Sequence, residues 1–304
     1  MNAGLQVKRW WIYQKERFPL VANGLLIGVF SVAMVGYPMV LAGMGGQGRA
    51  ALVAFLSFFC AFLQLRIADE FKDYHEDCRY RPERPVPRGL VQLSELQILD
   101  RLSRGVQVIL AFVISPYLLV VLALVWGYQG LMGVEFFCPQ WLQKQRVVYL
   151  LSHNLILPIL GGYGLAIAAL TVDQPIPLAA LWLLPLSSCH GLAIEIGRKI
   201  LPPKLERRGV ATYSRDWGRG KALVVWLLCL MGGGICTAIA AQPLGFAWGM
   251  MTVLCGLGAA ACGLAYLFLN YPSRRGSQLI YGLSALWVVV SYGGLGGLPL
   301  MLMR

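Results

Sequence analysis

From Asp69 to Gly89 the chain reads DEFKDYHEDCRYRPERPVPRG. These twenty-one residues hold six of the fourteen acidic side chains and five of the twenty-six basic ones. The segment before them, AALVAFLSFFCAFLQL at 50–65, is almost wholly apolar. A dense charge cluster at the end of such a run is expected where a membrane helix surfaces, because charge in hydrocarbon is costly.

The totals agree with that reading. The 304 residues are 58% hydrophobic and 13% charged, with mean hydropathy +0.64, whereas a soluble domain is about a quarter charged. Only helices or a closed barrel satisfy the backbone in lipid. Long apolar runs without two-residue alternation select helices. The eight cysteines form no CxxC pair and lie mostly inside apolar runs, so they read as free thiols rather than a metal site or disulfide framework.

At about 20 residues per crossing, the sequence predicts an all-α integral membrane protein with nine spans in a single domain over 1–304. The spans run 20–42, 50–68, 94–114, 116–134, 146–170, 176–196, 221–241, 246–269 and 277–303. With nine spans, 24 of the 26 Lys and Arg residues fall on one side, leaving Arg49 and Arg304 on the other. That asymmetry puts the basic side in the cytoplasm. It accounts for the net charge of +12 without nucleic acid. Two polar loops, 69–93 after the second span and 197–220 after the sixth, share this side, as in a pseudo-repeated bundle with one polar mouth.

Asp69, Asp73 and Asp77 are spaced i, i+4, i+8. On a helix that spacing drifts about 40° per step, so the three carboxylates share a face. They repel one another unless a cation sits between them, and hard oxygen ligands favour Mg²⁺ with phosphate completing its shell. Pro82, Pro85 and Pro87 end the helix. Lys72, Arg84 and Arg88 supply phosphate donors. In the second loop Glu195 and Glu206 are candidates for a second Mg²⁺, with Arg198, Lys199 and Tyr213 beside them as oxyanion donors. The plainer reading is a solvated helix in the first loop and a Glu195–Arg198 or Glu195–Lys199 helical pair in the second. Asn23, His153 and Asn154 are polar groups at membrane depth and candidates to line a cavity.

The run Asp69-Glu70-x-x-Asp73-x-x-x-Asp77, followed by Arg84-Pro85-Val86-Pro87-Arg88-Gly89, resembles the first signature of the UbiA superfamily of intramembrane prenyltransferases, N-D-x-x-D-x-x-x-D then R-P-[LV]-P-x-G. Asp69 stands where that family usually has Asn. The family's second aspartate pair is absent, with Glu195 and Glu206 as the nearest stand-ins. The resemblance implies that Mg²⁺ on acidic loops activates an isoprenyl diphosphate whose tail lies between helices, and that an electron-rich aromatic acceptor captures the allylic cation. A UbiA-type terpene cyclase, in which the substrate's own double bonds trap the cation, stays open. So does a divalent-cation or solute transporter, although its carboxylates would sit near the bilayer midplane. A CDP-alcohol phosphotransferase would begin D-x-x-D-G-x-x-A-R, which is absent.

Overall fold

The computed structural model describes residues 3–45, 48–207 and 209–302, and among these it is all helical. In chain order the helices are α1 (Ala3–Arg17), α2 (Leu20–Leu41), α3 (Gly48–Lys72), α4 (Tyr74–Tyr80), α5 (Leu93–Ile114), α6 (Leu118–Gly133), α7 (Pro139–Lys144), α8 (Arg146–Asn154), α9 (Ile156–Val172), α10 (Leu183–Gly197), α11 (Tyr213–Asp216), α12 (Arg219–Ala241), α13 (Ala247–Asn270), α14 (Arg274–Tyr292) and α15 (Leu298–Leu302). Among the described residues seven helical stretches are long and apolar enough to cross a membrane: α2, α3, α8–α9, α10 with its preceding 3₁₀ turn, α12, α13 and α14–α15.

The spans read at 94–114 and 116–134 are of a different kind. The first is α5, which carries Glu95, Asp100, Arg101 and Arg104 in its first half. The second is α6, sixteen residues long. Buried hydrogen bonds fasten α5 to α3 and α6 to α5. Gln64 Nε2 donates to Ser103 Oγ at 2.9 Å and to Gln107 Oε1 at 2.7 Å, and Trp126 Nε1 donates to the same Gln107 oxygen at 2.9 Å. Amides this deep need partners, and here each helix supplies one.

The helices close a ring in which α2 packs on α3, α9 and α14, and contacts then run α3–α5, α5–α6, α6–α9, α9–α10, α10–α12, α12–α13 and α13–α14. Small residues permit the closest approaches. At Gly164 an added Cβ would stand 2.7 Å from Met34 Cβ, and at Gly296 one would stand 2.5 Å from the Ala33 backbone. The ring is tied internally where Trp226 Nε1 donates to Ser284 Oγ at 2.8 Å and Ser284 Oγ to the Ala193 carbonyl at 3.2 Å, linking α12, α14 and α10.

Two departures from straight spans shape the polar end. Pro158 lacks an amide hydrogen and crowds the carbonyl four residues earlier, so the fifth span breaks between Asn154 and Ile156. The third helix bends at Asp73, whose φ of −88° and ψ of 3° leave the helical region while the i to i+4 bonds continue on either side at 2.9 and 2.8 Å.

Gly296→Ala should push Cβ into the fixed backbone of α2 and cost roughly 1–3 kcal/mol. Gly297→Ala, with open space around its Cβ, should leave the thermal melt of detergent-solubilised protein unchanged.

Candidate active site

The two polar loops meet at one end of the ring. Asp69, Lys72 and Asp73 from the end of α3 face Glu195, Arg198 and Lys199 from the end of α10 across a cavity of about 300 Å³, with Tyr149, His153 and Asn154 of α8 and Tyr213 of α11 closing its sides. Phe62, Leu157, Gly191 and Glu195 also line a second chamber of about 250 Å³, walled mainly by apolar and aromatic side chains of α2, α10 and α14, including Asn23 near its entrance. The site is thus a polar mouth opening on an apolar chamber. A larger groove of about 600 Å³ between α12, α13 and α14 shares no lining residue with either cavity and has no charged residue in its wall.

The carboxylates in the mouth differ in how they are neutralised. Asp69 is 41% exposed, with Arg66 at 3.4 Å and Lys72 at 4.0 Å. Glu195 is clamped by Arg198 and Lys199, at 2.5 and 2.8 Å. That is the helical pair of the plainer reading, now forming one wall of the cavity. Asp73 makes no ion pair or side-chain hydrogen bond among the described residues. Burial first, and the neighbouring Asp69 second, hold its carboxyl above the usual range. A desolvated carboxylate beside a second one calls for a cation between them.

Other candidates lie elsewhere. Asp77 does not share the face of Asp69 and Asp73. Beyond the bend it is 1% exposed, paired with Arg81 at 2.9 Å and hydrogen-bonded by Arg84 at 2.6 Å. Those bonds brace the proline-rich segment. Arg84 is therefore occupied by Asp77, and Arg88 pairs with Glu16 of α1 at 2.9 Å; neither lines the mouth. Glu206 accepts the Ser214 hydroxyl at 2.7 Å and is not part of the cavity wall, so the structure does not bring it to Glu195. Lys72, Arg198, Lys199 and Tyr213 do converge on the mouth. Burial, and behind it Glu195, raises the Tyr213 phenol above its usual range, which keeps it a donor. His153 and Asn154 line the mouth and Asn23 the chamber.

One residue of this cluster was not anticipated. Glu135, 7% exposed, follows α6 in a turn where Glu135, Phe136 and Phe137 all have left-handed φ angles of 51°, 51° and 59°. Non-glycine residues pay strain in that region, and the turn points the carboxylate back under the mouth. Its Oε1 lies 3.2 Å from Lys72 Nζ and accepts the Tyr149 hydroxyl at 3.4 Å. Lys72 donates to that hydroxyl at 2.7 Å, and the Tyr149 and His153 rings stack at 4.0 Å. The available signal in the sequence was that Glu135 is the lone acid between Asp100 and Asp173, within LMGVEFF.

Among the described residues no three His, Cys, Asp or Glu side chains converge as a ready metal cage. The donor set still fits one Mg²⁺ held by Asp69 and Asp73, because that ion keeps waters and takes its remaining oxygens from phosphate.

Residues 29–300 match the UbiA prenyltransferase family. The chain belongs to that family. The fold is similar to the apo structure of a UbiA homologue from Aeropyrum pernix K1, with a TM-score of 0.66 at 12% identity over 90% of this chain and 97% of that one. It is also similar to a digeranylgeranylglyceryl phosphate synthase, with a TM-score of 0.55 at 15% identity over 94% of this chain and 99% of that one. No curated protein matches the sequence. With seven helical stretches among the described residues long and apolar enough to cross a membrane, this UbiA family member is a multi-pass integral membrane protein.

Glu135→Gln should leave the Lys72 ammonium without its close counter-charge and lower stability by about 2–4 kcal/mol. Glu195→Gln, on the partly exposed rim, should cost under about 1 kcal/mol. Thermal melts of the two variants side by side test the contrast.

Proposed function

We propose that this protein is an Mg²⁺-dependent intramembrane prenyltransferase that ionises an allylic isoprenyl diphosphate in the mouth and transfers the prenyl group to an electron-rich aromatic acceptor in the chamber. The observation that carries this reading is the Asp69–Asp73 pair, with Asp73 unpartnered among the described residues, facing Lys72, Arg198 and Lys199 above an apolar chamber.

Each group then has a role. The ammonium and guanidinium groups of Lys72, Lys199 and Arg198, with the Tyr213 hydroxyl, hold the diphosphate oxygens. Asp69 and Asp73 would hold the Mg²⁺, with Glu195 at the opposite wall, and the ion when bound would supply positive charge to the leaving diphosphate. Glu135 and Tyr149 fix Lys72, so that its charge is in place before the C–O bond breaks. Phe62 and Leu157, shared by mouth and chamber, shield the allylic cation from water. In this reading α5 and α6 complete a nine-span bundle, and the 24-to-2 division of basic residues places both loops in the cytoplasm.

One observation favours the cyclase as second reading. The lining of the chamber includes no Lys or Arg, so an acceptor carboxylate would find no partner there. A neutral acceptor, or the substrate's own double bonds, suits those walls. The transporter reading places its carboxylates at mid-membrane, and here they gather at the rim.

In lipid nanodiscs with Mg²⁺ and geranyl, farnesyl or geranylgeranyl diphosphate, the wild type should release diphosphate and EDTA should stop it. Product that appears only with a phenolic acceptor identifies a transferase, and a hydrocarbon formed without one identifies a cyclase. Asp73→Asn should lower turnover by roughly two orders of magnitude. Because it removes a charge that burial and Asp69 disfavour, it should also melt above wild type in the absence of Mg²⁺ at neutral pH. Below the usual carboxylate range the two proteins should melt alike, since Asp73 is then protonated in both the folded and unfolded chains. No diphosphate release under any condition would refute the catalytic reading.

A further inference from the structure

More than a turn below the rim, α10 carries His190 into the apolar chamber. Five residues of helix separate it from Glu195, about 7 Å along the axis. The residue is 4% exposed, and neither Nδ1 nor Nε2 has a hydrogen-bond partner among the described residues. Leaving a buried polar group unsatisfied is costly, so its place in this wall calls for a partner that arrives with the substrate. The ring meets Tyr292 edge-on at 4.6 Å and lies against Gly233 of α12, where an added Cβ would stand 3.3 Å from Cδ2 and 3.5 Å from Nε2. Phe18, Phe30 and Phe62 complete the aromatic surroundings. The one carboxylate in the lining, Glu195, is engaged by Arg198 and Lys199 at the rim.

We propose that His190 is the base of the chamber: its free ring nitrogen takes the proton released when the prenyl cation, having formed its new carbon–carbon bond, collapses to neutral product. This rests on the prenyl-transfer reading above. The allylic C–O bond breaks and its electron pair leaves with the diphosphate. A π pair of the acceptor ring forms the new C–C bond, which leaves a ring cation whose newly bonded, tetrahedral carbon still bears hydrogen. The C–H bond of that tetrahedral carbon then breaks, its pair becomes the π bond to the neighbouring cationic carbon and restores the aromatic system, and the proton passes to the imidazole. In a cyclisation the same C–H pair becomes a C=C bond.

The charge balance suits a dry chamber. An imidazolium replaces a carbocation, so no additional buried charge is created by the proton transfer. Aromatic rings in the lining, among them Phe30, Phe62 and Tyr292, supply π electron density near either cation. The chamber adjoins the mouth along Phe62, Leu157, Gly191 and Glu195, so the imidazolium can give up its proton toward the diphosphate as that group leaves.

The test uses full-length protein in nanodiscs with Mg²⁺ and the isoprenyl diphosphate and acceptor that the wild type consumes. Released diphosphate and organic products are measured in parallel. His190→Gln keeps size and hydrogen bonding but removes basicity. It should release diphosphate within about 3-fold of wild type, while the ratio of deprotonated product to diphosphate falls roughly tenfold or more and prenyl alcohol from water capture rises. Gly233→Ala keeps the imidazole but sets a methyl 3.3 Å from its Cδ2, beside Nε2, and so crowds that edge of the ring; it should move the same ratio in the same direction by less. An unchanged ratio in folded His190→Gln would overturn the proposal, as would loss of diphosphate release in that variant, since His190 would then act on ionisation. If His190→Gln does not fold, an unchanged ratio in Gly233→Ala overturns it. Failure of the wild type to release diphosphate would instead remove the prenyl-transfer reading, and this proposal with it.

Discussion

Charge is excluded from hydrocarbon, and the architecture follows from where this chain keeps its carboxylates. All but one of the fourteen lie toward the end of the bundle that carries the two polar loops; Asp173, after α9, is the exception. Most are neutralised by pairs that brace one segment against another. Arg17 bonds Glu70 between α1 and α3, Arg9 reaches Glu95 at 3.0 Å between α1 and α5, and Arg146 reaches Asp216 at 3.2 Å between α8 and the second loop. Together these pairs tie a cap of short helices and loops onto the ends of the spans. Individually, exposed pairs contribute little; their effect here is to fix geometry at a rim where lipid gives way to water.

Against that paired background Asp73 stands out. It sits where α3 bends, beside a second carboxylate, with cationic side chains nearby that are already committed to other partners. An arrangement that leaves one half-buried carboxylate without a partner among the described residues is held only if the rest of the fold over-determines it. Here the over-determination comes from the buried Asp77–Arg81–Arg84 cluster one turn on, and from the Glu135 turn beneath Lys72. Those neighbours act by keeping α3, α4 and α8 in register, so that the carboxylate pair and the cations face each other across the cavity.

The mouth and the chamber divide the chemistry by solvent. Ionisation needs charge to receive the leaving group, and the mouth supplies it. In the proposed reaction the cation survives only away from water and stray nucleophiles, and the mainly apolar and aromatic walls of the chamber suit that need. The shared wall of Phe62, Leu157 and Gly191 lets one substrate occupy both environments at once. The larger groove between α12, α13 and α14 lacks the charged half of that arrangement and opens on the outer face of the bundle.

Helical class, membrane residence, the two polar loops and the family resemblance were legible in the residues, because hydropathy and the Asp69–Gly89 signature are local properties. So were Asp69, Asp73 and the basic cluster at Arg198 and Lys199. The crossing status of α5 and α6 was less legible, since buried polar groups of α5 are satisfied by Gln64 of α3 and Trp126 of α6 bonds Gln107 of α5, pairings that no hydropathy window registers. Helical spacing assigned Asp77 to the face of Asp69 and Asp73; a bend at one residue and two guanidiniums later in the chain took it away. Glu206 shares a loop with Glu195 but turns to Ser214, a choice made by loop geometry. Glu135 and His190 acquire their places only through contacts with residues far off in sequence, such as Lys72 for the first and Gly233 and Tyr292 for the second. Local composition thus determined that this chain enters a membrane and carries an acidic, basic-flanked mouth. Only tertiary packing decided which carboxylate stays unpaired and which imidazole faces an apolar chamber, because pairing and burial are set by neighbours that the chain order does not place side by side.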